Sequence, residues 1–485
     1  MQGTAKLDRS APSDPTVSGG SSAWQSVASL TATASASTDA GSGVTGYEYR
    51  TSTDGGTTWS AATAGASKSA TAEGQTLVQF RAIDGVGLRS SWVQATLRID
   101  RTLPTAPTVT GGSTSWQALA SVSISASGGT DAGGSALAGY QYRTSANGGT
   151  TWSASTAGAS AAVTAEGTTI VQLRSIDGAG NVSAWVPASA GASNTVKLDR
   201  TGPTAPAVTG NNLSWLTSTS VTVTPSGSTD VGGSGFNHYE VRTSINGGTT
   251  WSSTATATSK AITAQGETLV QFRGVDNVGN ASGWTQATVR LDRTAPSAPT
   301  VAGGSLSWQN LASVTVSATG GSDTMSGLTG YQYRTNPGSG WSAAVSGASV
   351  IVSAQGTTYV QFRTVDAAGN ASAWTPSSNG ATNTVKLDRT APTAPTVSGG
   401  SLTCSKTKRT ITGKSSTDSG SGVNHYEYRV STNGGTTWGA TVSASSVTLS
   451  AAGSYVVQFR AVDNVGLASA WAPTVNGAAN SACLT

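Results

Sequence analysis

The residues of this chain best suited to chemistry are aspartates that return at fixed intervals. Asp39, Asp131, Asp230, Asp323 and Asp418 lie in Gly/Ser-rich loops, and Asp100, Asp199, Asp292 and Asp388 each precede an arginine. Carboxylate oxygens are hard ligands, so structural calcium is one reading, and the calcium candidates are the second set, Asp100, Asp199, Asp292 and Asp388. Calcium takes six to eight oxygens, however, and one or two carboxylates per site fall short of that. The arginine beside each of these aspartates suggests a local ion pair. The expectation is therefore turn capping and salt bridges, with no metal or cofactor assigned.

Other chemistry is sparse. The two cysteines, Cys404 and Cys483, are 79 residues apart, too few for a zinc site. They fall in what read as the first and last strands of the final repeat, which lie close in many β-sandwiches. A disulfide is expected there, worth about 2–4 kcal/mol in an oxidising setting and pointing outside the cell. His238 and His425 occupy matching Asn-His-Tyr positions and read as strand-start residues rather than ligands or bases. There is no Gly-x-Ser-x-Gly elbow, phosphate-binding loop or Cys-x-x-Cys pair. Glutamates are too few to suggest paired-carboxylate glycoside hydrolysis. No enzyme is expected. The tripeptides at Asn181, Asn280 and Asn370 fit a glycosylation sequon but belong to a recurring turn.

Charge excludes further classes. With 27 basic and 23 acidic residues the net charge is +4, and the arginines alternate along strands instead of clustering. Residues 406–414 are the one concentrated basic stretch, read as a solvated strand end, so no nucleic-acid partner is expected. No apolar run is long enough to span a membrane, and no signal sequence opens the chain. Lys6-Leu7-Asp8-Arg9 matches the ending of a repeat, so the chain reads as a piece of a longer array carrying an added start Met.

These residues must be positioned by a repeating unit. The marker aspartates Asp8, Asp100, Asp199, Asp292 and Asp388 are 92, 99, 93 and 96 residues apart. After the end of a preceding repeat at 1–9, five repeats follow, at 10–101, 102–200, 201–293, 294–389 and 390–485. That period suits a domain that folds alone. Each opens with two prolines three apart, such as Pro104 and Pro107, which make a stiffer joint than a Gly/Ser linker. Within the second repeat, Ser121–Ser125 alternates Val122 and Ile124 on one face. Tyr140 and Tyr142 share a face, Asn147-Gly148-Gly149 is a turn signal, and Val171 and Leu173 point inward from the strand before Asp177. No segment has a helical period. The fold class is all-β, an elongated array of tandem β-sandwiches. The tryptophans, three in each of the first four repeats, read as large contributors to a thin core or its edges. In the fifth, Cys404 stands where the third would be.

The segment after the penultimate strand is the firmest signature. It reads Val360-Gln-Phe-Arg-Thr-Val-Asp366-Ala-Ala-Gly-Asn370-Ala-Ser-Ala-Trp374 in the fourth repeat and recurs around Asp84, Asp177, Asp276 and Asp463. There the aspartate caps a tight turn. Together with the Tyr-x-Tyr strand and Asn-Gly-Gly-Thr-Thr-Trp, it resembles bacterial Ig-like and fibronectin type III-like tandem repeats over all five units. The resemblance implies a surface or secreted protein at the cell surface or outside it. The expected function is a non-catalytic spacer or stalk of an adhesin-type protein. Two alternatives stand beside it. One is a self-assembling filament or virion subunit, with residues 3–8 adding to a neighbour's sheet edge. The other is a glycan- or protein-binding module. Partners would then be other copies head-to-tail, other surface proteins or a glycan.

Overall fold

The computed structural model describes residues 3–485, which form strands and loops with no helix. Every repeat builds the same pair of sheets. In the second, the smaller sheet has Val122–Ser127 at its centre, flanked by Thr108–Thr110 and Ser160–Val163. The larger runs in the order Thr156–Ala157, Leu137–Ser145, Gly167–Asp177, Thr195–Leu198 and Trp116–Gln117. All pairings are antiparallel except the last, where Trp116 lies opposite Lys197 in a parallel register.

The period-two patterns explain why these segments are strands and which faces meet. Ile124 and Ala126 from the small sheet pack against Val171, Leu173, Val196 and Leu198 from the large one. Val122, Tyr140 and Tyr142 are half-buried at the margin of this core. The first, third, fourth and fifth repeats place Phe80, Phe272, Phe362 and Phe459 at the position of Leu173, all fully buried. Each of the five cores draws its buried residues from a single repeat.

Of the two placements expected for the tryptophans, core or edge, the first does not hold, since none is in these cores. They lie half-exposed on the outer face of the large sheet, because that face carries the alternating arginines whose guanidiniums they cover.

The repeats come in two forms. In the first and third, a seven-residue strand, Val93–Ile99 or Thr285–Leu291, completes the large sheet. In the second, fourth and fifth, the chain leaves the sheet after Pro187, Pro376 or Pro473. It returns for four residues only, as in Thr195–Leu198. A glutamine bridges the detour: Gln172, Gln361 and Gln458 Nε2 donate to the proline carbonyls at 2.8, 2.7 and 2.8 Å. This detour accounts for spacings of 99 and 96 residues against 92 and 93.

Candidate metal centres at the junctions

The aspartate that ends each repeat belongs to two repeats at once. Asp388 donates its backbone N–H to Gln309 O at 3.0 Å, which fixes it to the fourth repeat. Its side chain reaches into the fifth, where Oδ2 accepts from Ser421 N at 2.6 Å, while Oδ1 accepts from Thr390 N at 3.1 Å. Asp100, Asp199 and Asp292 repeat this with Ser135, Ser234 and Ser326 at 2.8, 2.6 and 3.1 Å. Asp8 makes the same contact to Ser42 at 2.6 Å. The loop passes close over the carboxylate: a Cβ on Gly41, Gly133, Gly233 or Gly420 would collide with it. Burial, the largest influence on Asp100, Asp199, Asp292 and Asp388, would raise their pKa. Hydrogen bonds, among them those from the backbone N–H groups of the loop serine and of the residue two after the aspartate, outweigh it and hold all four below the usual carboxylate value.

Two further carboxylates complete each junction. The loop aspartate folds back on its own loop: Asp418 Oδ2 accepts from Gly422 N at 2.6 Å, and Asp39 Oδ2 from Gly43 N at 2.7 Å. The turn aspartate caps its turn as expected. Asp463 Oδ1 accepts from Val465 N and Leu467 N at 2.9 and 2.8 Å, and Asp84 Oδ1 from Val86 N and Leu88 N at 3.0 and 2.7 Å. In every repeat, one oxygen of the junction, loop and turn aspartates lies within 4.8 Å of the others. The five trios are Asp8, Asp39 and Asp84; Asp100, Asp131 and Asp177; Asp199, Asp230 and Asp276; Asp292, Asp323 and Asp366; and Asp388, Asp418 and Asp463.

The expected ion pair between a junction aspartate and the following arginine does not form. Among the described residues, no such pair occurs within 4.0 Å. Each arginine turns back on the repeat it ends. Arg101 and Arg200 lie 3.4 and 3.5 Å from Glu73 and Glu166, and Arg389 donates to Ala312 O and Ser353 O at 2.9 Å each. The carbonyls at the strand ends hold the guanidinium there, so the carboxylate points the other way.

Sequence reasoning found the junction and loop aspartates but assigned the turn aspartates to capping alone. They do both. A signal was present: all three sets recur once per repeat, although the residue four after the turn aspartate switches between Asn and Leu. That switch has structural consequences. In the second, third and fourth repeats, Asn181, Asn280 and Asn370 Nδ2 donate to the turn aspartate Oδ2 at 2.8 Å. The same amide donates to the junction aspartate's carbonyl at 3.0 Å. These amides are thus engaged, at odds with a free sequon. Where Leu88 and Leu467 replace them, Asp84 and Asp463 are 2% and 1% exposed and Oδ2 has no hydrogen-bond partner. The other buried oxygens without a partner near the trios are Asp131 Oδ2 and the hydroxyls of Ser135, Ser234, Ser326 and Ser421.

The outer face of the large sheet is the other conspicuous surface. Arg50 lies between Trp59 and Trp92, 4.7 and 4.6 Å from the ring centroids, and Arg81 covers the opposite side of the pair at 4.2 Å from Trp92. All five repeats build this stack, down to Trp438, Arg429, Trp471 and Arg460. Cation–π attraction and stem packing account for the rings. Glu48 and Glu427 pair with the outermost arginines. His425 Nε2 lies 3.6 Å from Glu427 Oε1 and, among the described residues, belongs to no cluster of ligands.

Cys404 and Cys483 are joined by a disulfide, with Cα atoms 4.2 Å apart on the parallel first and last strands of the larger sheet. Residues 3–15 form no strand, so the segment expected to add to a neighbouring sheet is irregular, with Asp8 engaged in its own junction. No helix is long and apolar enough to cross a membrane.

No protein family's model matches the chain. A curated relative, Exoglucanase B of Cellulomonas fimi, is 36% identical over 334 residues, which is 66% of this chain and 29% of that protein. The chain thus spans under a third of that relative's length. A crystal structure of the FN1-FN3 domains of chicken CNTN1 aligns at 14% identity, covering 56% of this chain and 97% of that one with a TM-score of 0.19. That superposition is too loose to bear on the fold, which rests on the sheets themselves.

Proposed function

We propose that the chain is a non-catalytic spacer that holds other parts of a secreted, carbohydrate-active protein apart, as five domains with the boundaries read from the repeats. One observation carries the reading. The segment shared with Exoglucanase B is 334 residues, longer than three repeats, yet only 29% of that protein. What the two have in common is therefore array-like, and most of the relative lies outside it. The sandwich architecture hosts many roles, so the uniformity of the copies matters more. A spacer needs length and repetition, and a single dedicated binding or catalytic site would set one copy apart. The disulfide fits an oxidising compartment.

A glycan platform is less well supported, because Trp92 and its counterparts each lie against two guanidiniums, and Trp59 and its counterparts, with one guanidinium each, are the less covered rings of the stack. The purified chain should release no sugar from soluble β-glucan and should not be retained on insoluble glucan. Hydrolysis would overturn the non-catalytic reading. Retention would move the function to glycan binding.

A further inference from the structure

Three carboxylates within 4.8 Å of one another, with no basic side chain paired to them among the described residues, repel one another. The nearest guanidinium turns away, and backbone N–H groups offset only part of the charge. Such a group is stabilised either by protons or by a bound cation. The fifth junction has an additional feature. Asp463 is 1% exposed, Oδ1 is committed to two turn N–H groups, and Oδ2 has no partner. A buried, unpartnered carboxylate oxygen is costly to leave so. The Ser421 hydroxyl, from the Asp418 loop, is also buried and unpartnered, as are those of Ser135, Ser234 and Ser326 at the middle junctions. The first junction repeats the feature with Asp84 Oδ2. At the second, third and fourth junctions, the amide of Asn181, Asn280 or Asn370 occupies the corresponding oxygen and ties it to the junction aspartate's carbonyl.

We propose that the first and fifth junctions each bind one calcium ion through Asp8, Asp39 and Asp84 and through Asp388, Asp418 and Asp463, and that the asparagine amide takes the cation's place at the other three. The donor set decides the metal class. It is oxygen only, which suits calcium or magnesium and disfavours zinc and copper. Carboxylates that can bind through one or both oxygens, with the Ser421 hydroxyl and water, approach the six to eight ligands calcium takes. Magnesium demands a stricter octahedron and keeps more of its water. Because Asp388 is anchored to the fourth repeat while Asp418 and Asp463 belong to the fifth, the ion ties the two together. At the middle junctions the amide makes that tie without an ion. The inference does not depend on the spacer reading, since an array with any other role would bind calcium equally.

The test is calorimetric titration of calcium chloride into the full chain after treatment with a chelator and dialysis. Wild type should show two sites. Asp463→Asn should remove one. Leu467→Asn, which leaves every carboxylate in place, should weaken the same site by about 10–100-fold, the range for a changed outer-shell partner. Asn280→Leu should create a third site. Magnesium chloride should bind more weakly than calcium at both natural sites. The absence of saturable calcium binding would overturn the proposal, as would binding unmoved by both Asp463→Asn and Leu467→Asn. Five equal sites would overturn the role given to the asparagines. Unchanged melting of the remaining repeats guards against a variant that has merely misfolded, and Asn280→Leu tests a gain that misfolding cannot mimic.

Discussion

The fifth repeat closes its large sheet with a covalent bond where the second and fourth close theirs with an aromatic ring and a cation. In the second, Trp116 lies opposite Lys197 on parallel strands, and the ammonium sits 5.6 Å from the ring centroid. Trp308 and Lys386 repeat the arrangement at 5.8 Å, and Trp24 and Arg98 do so in the first repeat at 5.8 Å. In the fifth, Cys404 and Cys483 occupy these two positions in the same parallel pairing and form the disulfide. The strand order around the seam is unchanged, as is the hydrogen bond that follows it. Thr485 N donates to Ser405 O as Asp199 N donates to Gln117 O. One position in the fold thus has one task, holding a two-residue edge segment against the last strand, and two chemistries perform it. A pair of backbone bonds is too little to hold so short a segment, so the side chains opposite each other must contribute.

The largest test of this comparison removes the covalent seam. Reducing the disulfide, or making Cys404→Ser with Cys483→Ser, should lower the stability of the fifth repeat by about 2–5 kcal/mol, as expected for a native bridge closing a long loop. The first four repeats should be untouched. Thermal unfolding of the full chain with and without reductant resolves this as a downward shift of one transition only. A reductant-insensitive melting profile would show that the seam is held by something else.

Transplanting the bond is the second test. Neighbouring strands lie about 4.7–4.9 Å apart, within the reach of a disulfide. Trp116→Cys with Lys197→Cys should therefore oxidise spontaneously in the second repeat. The gain should be at most about 2–4 kcal/mol. It is expected at the low end, because the fifth repeat has a register shift between Ser401 and Cys404 that the second lacks. Free-thiol titration and the melting curve check it. Two persistent thiols after air oxidation would mean that the register shift is required.

How much of this was legible in the sequence depended on the distance between partners. The inward face of each strand was, because alternation is local: Ile124, Val171 and Leu173 fall where the period puts them. The missing tryptophan at Cys404 was visible by counting. What Trp116 and its counterparts face was not, because nothing local says that residue 116 will lie beside residue 197. The same holds for the junctions, where Asp388, Asp418 and Asp463 meet only after two sheets have formed. The arginine after each junction aspartate misled for a related reason. Adjacency in sequence suggested a pair, but alternation sends adjacent side chains to opposite sides, and distant carbonyls captured the guanidinium. The tryptophans around Arg50 were read as core or edge side chains because large apolar rings seek burial, whereas here the flat guanidinium offers them a surface to cover.

The smallest effect concerns the cation in the aromatic seam. Lys197→Met keeps the apolar stem over Trp116 and removes only the charge. At a half-exposed site the loss should be about 0.5–1 kcal/mol. The third repeat provides the contrast. Its corresponding cation, Arg290, pairs with Glu267 at 2.8 Å and donates to Leu213 O at 2.8 Å. Arg290→Met should therefore cost an ion pair and a carbonyl partner, and part of that cost should fade as salt screens the charges. A double-mutant cycle separates the two cases. Trp116→Ala combined with Lys197→Met should show a coupling of about 0.5–1 kcal/mol that salt barely changes. Zero coupling would reduce Trp116 to packing alone, and the contrast between the two seams would then be one of covalent bond against buried area rather than covalent bond against cation and ring.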